Sequence, residues 1–234
     1  MDNQIQSIDT VILCGGIGRR LRPLVDDRPK SMAEINHRPF LDILLEYIGS
    51  YGFKRVILCI GYMGGMIREH FQKKSVPLEM VYSEEKEPLG TGGALKAAKA
   101  LIRSKTFMVL NGDSFCRIDF SKFIDFHLNK KALVSLALTK VKQGKNCGQA
   151  SLNTNNRIIG FKEKADLQDR AYSSVGIYLM EGRIFSLMDK KKKFSLEYDF
   201  FPGLINQGCY GYITEESLID IGTPEDYRKA QKFF

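Results

Sequence analysis

The first half of the chain alternates short apolar runs with longer segments whose apolar residues recur at helical spacing. Residues 10–14 and 55–60 form mostly apolar runs, which are typical of strands buried on both faces. Between them, apolar residues recur every three or four positions over 39–51, where Gly52 ends a predicted helix. Further elements follow in the same alternation: helices over 63–74 and 93–103, and strands over 78–83 and 107–110. These units predict a Rossmann-like, mostly parallel sheet covered by helices on both faces.

The second half is less regular and richer in predicted strands. Its predicted elements are strands over 132–141 and 174–180, a hairpin of 150–152 with 157–161, a helix over 197–205, strand material over 213–221, and a last helix from Pro224. No linker, low-complexity stretch or repeat interrupts the chain. We therefore expect one α/β domain over 1–234, with a first half of about 1–115 and a β-rich second half of about 116–234.

Composition narrows the class of protein. The chain has 234 residues, of which 44% are hydrophobic and 26% charged, and this balance excludes a disordered or fibrous protein. No window approaches the roughly 18 apolar residues of a membrane span, and the N-terminus has no signal-peptide pattern, so we expect a cytoplasmic protein with no membrane partner. Five cysteines without a C-x-x-C and three scattered histidines argue against a disulfide framework or a zinc site.

The positive charge leaves the partner open. Lys and Arg number 35 against 27 Asp and Glu, a formal net charge of +8. Basic residues are not interleaved with aromatic residues on one face, so we expect no nucleic-acid partner. The charge fits a solvated surface or a cleft that attracts a small polyanion, and it does not choose between them.

The stretch from Leu13 to Met32, LCGGIGRRLRPLVDDRPKSM, carries the most chemistry. A predicted buried strand runs straight into glycines, whose backbone N–H groups can cradle phosphate oxygens, and Arg20 and Arg22 can add charge-assisted contacts. The plain alternative is a glycine turn with solvated arginines. A dinucleotide site fits poorly, because the pattern is G-G-x-G-R-R and no acidic residue ends the second strand, and the Walker Gly-Lys-Ser/Thr is absent.

With four later segments, this stretch resembles the signature of the sugar-1-phosphate nucleotidyltransferases. The later segments are LGTGG at 89–93, NGD at 111–113, FKEK at 161–164 and DIGTP at 220–224. The resemblance covers nearly the whole chain, and it implies condensation of a nucleoside triphosphate with a sugar 1-phosphate. The run CGGIGRRLRPLVDDRPKSMAEI most resembles members that use GTP and D-glycero-α-D-manno-heptose 1-phosphate. Mannose 1-phosphate is the alternative sugar.

The resemblance also implies roles for individual residues. Catalytic roles fall on Arg20, Lys30 and Asp113. Nucleotide binding falls on Leu13, Gly15, Gly16, Gly18, Arg19, Glu84, Gly90 and Thr91. Sugar-phosphate binding falls on Gly148, Glu163, Lys164, Ser174 and Gly176. The implied cofactor is Mg²⁺, held by Asp113 and Asp220; both follow predicted strands, and Mg²⁺ prefers hard oxygen ligands.

The nucleobase prediction depends on Glu84. By family position, this side chain hydrogen-bonds the edge of the base. A carboxylate only accepts hydrogen bonds, and guanine offers adjacent N1–H and N2–H₂ donors, whereas thymine or uracil suits an amide better. The position therefore favours GTP.

Two other functions agree less well with the sequence than a nucleotidyltransferase does. A non-catalytic subunit that senses nucleotide sugars would be expected to lose a metal carboxylate or the loop arginine, and all of these are present. A dinucleotide-dependent oxidoreductase ranks lower still. Ser174, Arg19 and Ala165 depart from the family pattern, and Ser174 leaves the identity of the sugar open. We expect one activity, with any regulation through a homodimer interface.

Overall fold

The computed structural model describes residues 2–140, 149–162, 171–188 and 190–234. The strands are β1 (Thr10–Leu13), β2 (Glu34–Ile35), β3 (Arg38–Pro39), β4 (Arg55–Ile60), β5 (Glu79–Glu84), β6 (Thr106–Asn111), β7 (Ser114–Phe115), β8 (Val134–Lys140), β9 (Gln149–Leu152), β10 (Ile158–Lys162), β11 (Ala171–Glu181), β12 (Cys209–Thr214) and β13 (Ile219–Asp220). The α-helices are α1 (Asp2–Gln6), α2 (Phe40–Ser50), α3 (Gly64–Lys73), α4 (Gly90–Ala97), α5 (Phe120–Asn129) and α6 (Pro224–Ala230). None of the helices in these ranges is long and apolar enough to cross a membrane.

A nine-stranded sheet forms the centre of the molecule. Its main order is β10-β9-β11-β6-β1-β4-β5, and β8 extends from β11 with β12 beside it. The strands β6, β1, β4 and β5 run parallel, whereas β11 pairs antiparallel with β6, β8 and β9. The predicted α/β class, a Rossmann-like mixed sheet flanked by helices, is confirmed.

Apolar residues on alternate sides of the strands build two cores. In β1, Val11 belongs to one core and Ile12 to the other, and both side chains are fully buried. The first core is closed by α2, α3, α5 and α6, and the second by α4 and by the segment after β11. This double burial explains why the first-half strands read as continuous apolar runs rather than alternating ones.

Two predictions about helices need correction. The predicted helix over 197–205 is wrong: a π turn (Leu196–Phe200) passes into a 3₁₀ turn (Phe201–Leu204), since Pro202 cannot donate a helical hydrogen bond. The sequence reading also missed α5, which begins at Asp119, whose carboxylate accepts from the Lys122 N–H at 3.1 Å.

The helix predicted over 93–103 begins earlier, at Gly90, and its α-helical part ends at Ala97. Its N-terminus is covered by residues 192–197, which we call the covering segment. The Gly92 N–H donates to the Phe194 carbonyl at 3.0 Å, and the Phe194 N–H donates to the Leu89 carbonyl at 3.0 Å. A Cβ on Gly92 would lie 2.1 Å from the Phe194 ring, so this contact requires glycine.

Replacing Gly92→Ala should therefore destabilise the fold by about 1–3 kcal/mol, because the ring or the helix must shift. Chemical denaturation would measure the loss. The matched control is Gly65→Ala in α3, where a Cβ would meet no atom within 4 Å. That change should stabilise by up to about 1 kcal/mol. Equal effects of the two substitutions would contradict this account of Gly92.

Candidate active site

The glycine-rich loop after β1 lies at the carboxyl edge of the parallel strands. Gly18 has φ +66°, a conformation that L side chains rarely adopt, and a Cβ there would lie 3.0 Å from the Lys30 Cβ. The 3₁₀ turn Lys30–Met32 follows Pro29 and places the Lys30 stem beside the loop. Glycine at position 18 thus gives Lys30 its place against the backbone of the loop.

Asp113 and Asp220 are brought together by a short ladder of two strands. Asp113 lies two residues after the end of β6. Asp220 ends β13, which pairs antiparallel with β7 so that Asp220 lies opposite Ser114. The Ile221 N–H also donates to the Asp113 carbonyl at 3.1 Å. Two carboxylates that are distant in sequence therefore meet at one end of the sheet, where open α/β sheets bind ligands.

Lys30 is the counter-charge of this carboxylate pair. Its Nζ donates to Asp113 Oδ2 at 2.5 Å and lies 4.0 Å from Asp220 Oδ1. The lysine side chain is 13% exposed, whereas Asp113 and Asp220 remain 37% and 35% exposed. Burial raises the pKa of Asp220 above its usual value, the neighbouring Asp113 raises it further, and Lys30 opposes both effects.

The carboxylate pair fits a hard divalent cation. Asp113 and Asp220 offer oxygen ligands that are partly open to solvent. Within the described ranges no group of three or more His, Cys, Asp or Glu could hold a metal ion. A cation here would complete its shell with oxygens from substrate or water, which is how Mg²⁺ usually binds.

Arg20 joins the same cluster. A Cβ on Gly222 would lie 2.7 Å from Asp220 Oδ1, 3.0 Å from Lys30 Nζ and 3.3 Å from Arg20 Nη2. The three charged groups thus converge over the backbone of Gly222, and a side chain at that position would obstruct them. Four of the residues predicted to act on phosphates or metal are thus brought together: Arg20, Lys30, Asp113 and Asp220.

The other predicted loop residues differ in their surroundings. Leu13 ends β1, and Gly16 is exposed, with no atom within 4 Å of a Cβ added there. Arg19 is exposed, whereas Arg22 donates to the Tyr62 hydroxyl at 3.3 Å. The loop therefore presents backbone at Gly16 and a positive charge at Arg19 to solvent.

The structure brings Glu85, rather than Glu84, to the glycine-rich loop. The Glu84 side chain is 62% exposed and binds Arg68 at 3.2 Å. Glu85 occupies the space beside Gly15, where a Cβ would lie 1.8 Å from its Oε1, and its Oε2 accepts from the Leu89 N–H at 2.9 Å. Burial raises the pKa of Glu85, and the Leu89 N–H opposes that rise.

Gly90 and Thr91 serve the covering segment. Gly90 has φ +73°, and a Cβ there would lie 2.6 Å from the Phe194 carbonyl oxygen. The Thr91 hydroxyl accepts from the Leu196 N–H at 2.8 Å and donates to Glu197 Oε2 at 3.0 Å. This hydroxyl is engaged inside the protein, so a nucleotide at this turn would meet backbone.

On the side of β11, Gly176 has φ +75°, and a Cβ there would lie 2.8 Å from Asn111 Nδ2. Ser174 Oγ accepts from the Gly176 N–H at 3.1 Å and donates to the Tyr178 hydroxyl at 3.3 Å. These bonds fix an irregular stretch of β11 next to the end of β6. The other predicted sugar-phosphate residues, Gly148, Glu163 and Lys164, lie outside the described residues.

Sequence reasoning missed Glu85, Asn111 and Glu197 as members of this region. Glu85 differs from Glu84 by one position, and only the register of β5, which ends at Glu84, decides which carboxylate turns inward. Asn111 stood in a quoted motif without a role, and its Oδ1 is buried with no hydrogen-bond partner within the described ranges. No motif in the neighbouring sequence marks Glu197 as part of this region, because its partners Thr91 and Tyr178 are distant in sequence.

Comparison with known proteins shows the family to which the chain belongs. The family model described as nucleotidyl transferase matches residues 9–234, so the chain belongs to the nucleotidyl transferase family. The chain is 37% identical over 226 residues to the D-glycero-alpha-D-manno-heptose 1-phosphate guanylyltransferase of Aneurinibacillus thermoaerophilus, covering 96% of this chain and 97% of that protein.

Two further relatives match most of the chain. The crystal structure of HddC from Yersinia pseudotuberculosis complexed with GMP-PN superposes with a TM-score of 0.83 at 33% identity, covering 96% of this chain and 98% of that chain. The mannose-1-phosphate guanylyltransferase of Mycobacterium tuberculosis is 34% identical over 94% of this chain, which spans 62% of that longer protein.

The electrostatics of Asp220 give a pH-dependent prediction. A carboxyl with a raised folded-state pKa destabilises the fold as pH rises from the unfolded value, about 3.9, through the folded value. Asp220→Asn should therefore raise the unfolding free energy at pH 7, and the difference from the wild-type protein should vanish well below pH 4. Denaturation curves at both pH values test this. A gain in stability that persists unchanged in acid would contradict it.

Proposed function

We propose that the chain condenses GTP with a sugar 1-phosphate, D-glycero-α-D-manno-heptose 1-phosphate being favoured, to give a GDP-sugar and pyrophosphate. The observation that carries the proposal is the convergence of Arg20, Lys30 and Asp220 over Gly222, with Asp113 bound to Lys30, beside the glycine-rich loop. The heptose preference is supported by the relative that is 37% identical over nearly the full length of both chains.

The reaction is a single in-line displacement. A phosphate oxygen of the sugar 1-phosphate forms a bond to the α-phosphorus of GTP, the bond from that phosphorus to the bridging oxygen of the β-phosphate breaks, and pyrophosphate leaves with the electron pair. The attacking phosphate is already anionic at neutral pH, so no general base is required. Catalysis then consists of holding two anions in line and neutralising the developing charge.

The basic residues divide this work. Lys30 binds the α-phosphate, since its ammonium lies between the two carboxylates at the strand ends. Arg20 binds the β- and γ-phosphates from the loop, and the exposed backbone of Gly16 leaves room for the phosphate oxygens. Asp113 and Asp220 would hold Mg²⁺, which when bound neutralises phosphate charge in the transition state.

Glu85 is the group proposed to select guanine. Its Oε2 already accepts from the Leu89 N–H, and its Oε1 lies beside Gly15, where the loop meets the expected position of the base. A half-buried carboxylate that accepts hydrogen bonds matches the N1–H and N2–H₂ donors of guanine. This role was predicted for Glu84, whose side chain points to solvent and Arg68.

The proposal is less specific about the sugar phosphate than about the nucleotide. Ser174 and Gly176 are expected to face the sugar, while the roles of Gly148, Glu163 and Lys164 stay predictions from the family resemblance. Mannose 1-phosphate is the second candidate, because a mannose-1-phosphate guanylyltransferase is 34% identical over most of this chain. A cytoplasmic location, a homodimer and the single domain over 1–234 also stay predictions.

The function is tested by pyrophosphate release in the presence of Mg²⁺. Each of GTP, ATP, UTP, CTP and dTTP would be combined with heptose, mannose and glucose 1-phosphates. We expect turnover with GTP and D-glycero-α-D-manno-heptose 1-phosphate. Turnover with GTP and mannose 1-phosphate alone would make mannose 1-phosphate, rather than the heptose phosphate, the substrate. No turnover with any pair, in protein shown to be folded, would favour a non-catalytic subunit that senses nucleotide sugars.

The base assignment is tested by a matched pair of variants. Glu85→Gln should lower kcat/KM for GTP about tenfold or more, because one oxygen that accepts from the guanine donors becomes an amide N–H₂. The ratio of kcat/KM for GTP to that for UTP should fall as well. Glu84→Gln is the control, and its nucleotide preference should equal that of the wild-type protein. Loss of GTP preference in Glu84→Gln alone would restore the original assignment.

A further inference from the structure

A chain of side-chain hydrogen bonds joins α4 to β11, and Glu197 is its centre. Glu197 Oε1 accepts from the Tyr178 hydroxyl at 2.7 Å. Its Oε2 accepts from Thr91 Oγ1 at 3.0 Å and from Ser195 Oγ at 3.1 Å. One carboxylate thus receives three hydroxyl donors from three separate parts of the chain.

The two ends of this chain lie on the two sides of the candidate site. Thr91 belongs to the first turn of α4, two residues after Leu89, whose N–H is bound by Glu85. At the other end, the Tyr178 hydroxyl accepts from Ser174 Oγ, and Ser174 in turn holds the Gly176 N–H at the irregular part of β11. Glu197 therefore touches both the turn expected to face the base and the strand expected to face the sugar.

One donor of this network is completely removed from water. Tyr178 is fully buried, and burial together with the neighbouring Glu197 carboxylate raises its pKa well above the ordinary value, so the hydroxyl keeps its proton. Hydrogen bonds to a charged acceptor are stronger than neutral ones, and a buried donor that loses its acceptor is costly. The arrangement of these groups is accordingly well defined.

The local backbone directs Glu197 inward. Ser195 accepts from the Tyr198 N–H and caps the π turn Leu196–Phe200, a rare conformation that occurs often at functional sites. The neighbouring Tyr198 side chain is 62% exposed, so consecutive residues of this turn point in opposite directions. The turn thus directs the Glu197 carboxylate toward Thr91 and Tyr178 rather than toward a substrate.

We infer that Glu197 is a positioning residue that fixes the turn at the start of α4 and the Ser174–Gly176 stretch of β11 relative to each other. The inference rests on the proposed function, in which the nucleotide and the sugar phosphate bind on these two sides. An in-line displacement needs both phosphates at a fixed separation and angle, so loss of one carboxylate affects both substrates. Glu197 touches neither substrate and acts through Thr91 and Tyr178.

The test uses three near-isosteric variants of the full chain. Thr91→Val should raise KM for GTP about tenfold, and Tyr178→Phe should raise KM for the sugar 1-phosphate about tenfold, since each loses one hydrogen bond to a charged group. Glu197→Gln should raise both KM values and lower kcat. Calorimetric titration with GTP alone should show weaker binding for Thr91→Val and Glu197→Gln than for Tyr178→Phe.

Coupling between the two ends gives a second readout. Thr91 and Tyr178 share Glu197 as their acceptor, so the effects of Thr91→Val and Tyr178→Phe on kcat/KM should be non-additive in the double variant. Additive effects would contradict transmission through Glu197. This cycle does not need any change at Glu197, so it decides the inference even if Glu197→Gln fails to fold.

Matched controls separate positioning from stability. Tyr198→Phe removes the exposed neighbouring hydroxyl, and Glu225→Gln removes an exposed carboxylate bound to Lys229 on α6. Both should keep wild-type KM values. Network variants that melt earlier but keep both KM values and the GTP affinity would overturn the inference and leave Glu197 a structural residue.

The inference and the proposed function fail in distinguishable ways. If the wild-type protein neither binds GTP nor releases pyrophosphate with any sugar 1-phosphate, the proposed function fails. If the wild-type protein is active and the network variants keep its kinetic constants, only the role of Glu197 fails.

Discussion

The placement of one ammonium group between two carboxylates is the constraint on which the site depends. Asp113 and Asp220 come from strands far apart in sequence, and their mutual repulsion opposes the short β7–β13 ladder that joins them. Lys30 offsets that repulsion from a 3₁₀ turn, and its stem packs against the glycine-rich loop at position 18, where a side chain would collide with it. The same charges suit this edge of the sheet to a cation and to phosphates. Both carboxylates remain partly exposed to solvent and can act as oxygen ligands, and Lys30 can pair with a phosphate.

A second constraint concerns the start of α4, on the side of the site that is proposed to bind the base. The glycines of the LGTGG motif would ordinarily be explained by close approach of a ligand. In this fold Gly92 and Gly93 instead admit the covering segment, since Cβ atoms there would strike the Phe194 ring and the Lys192 carbonyl. Glu197, in the same segment, then binds Thr91 and Tyr178. A motif predicted to bind substrate therefore also reflects packing between distant parts of the chain.

The sequence predicted the parallel strands and the charged cluster well, because apolar runs and strand-end residues are local signals. The bounds of β4 were predicted to the residue, and Lys30, Asp113 and Asp220 meet as expected. The sequence pointed to Glu84, whereas the structure places Glu85 beside the glycine-rich loop, because neighbouring residues at a strand end face opposite sides. The π turn at Leu196–Phe200 and its Glu197 could not be read locally, because their partners lie in α4 and β11.

The covering segment also bears on how the chain acquires its structure during synthesis. The start of α4 is emerging from the ribosome about a hundred residues before the Phe194 carbonyl that its first N–H groups need, and β6 is likewise made well before its neighbour β11. The nascent first half thus has exposed helix donors and an unpaired strand edge until translation passes the covering segment. Expression of the first half alone would leave the α4 donors and the β6 edge exposed.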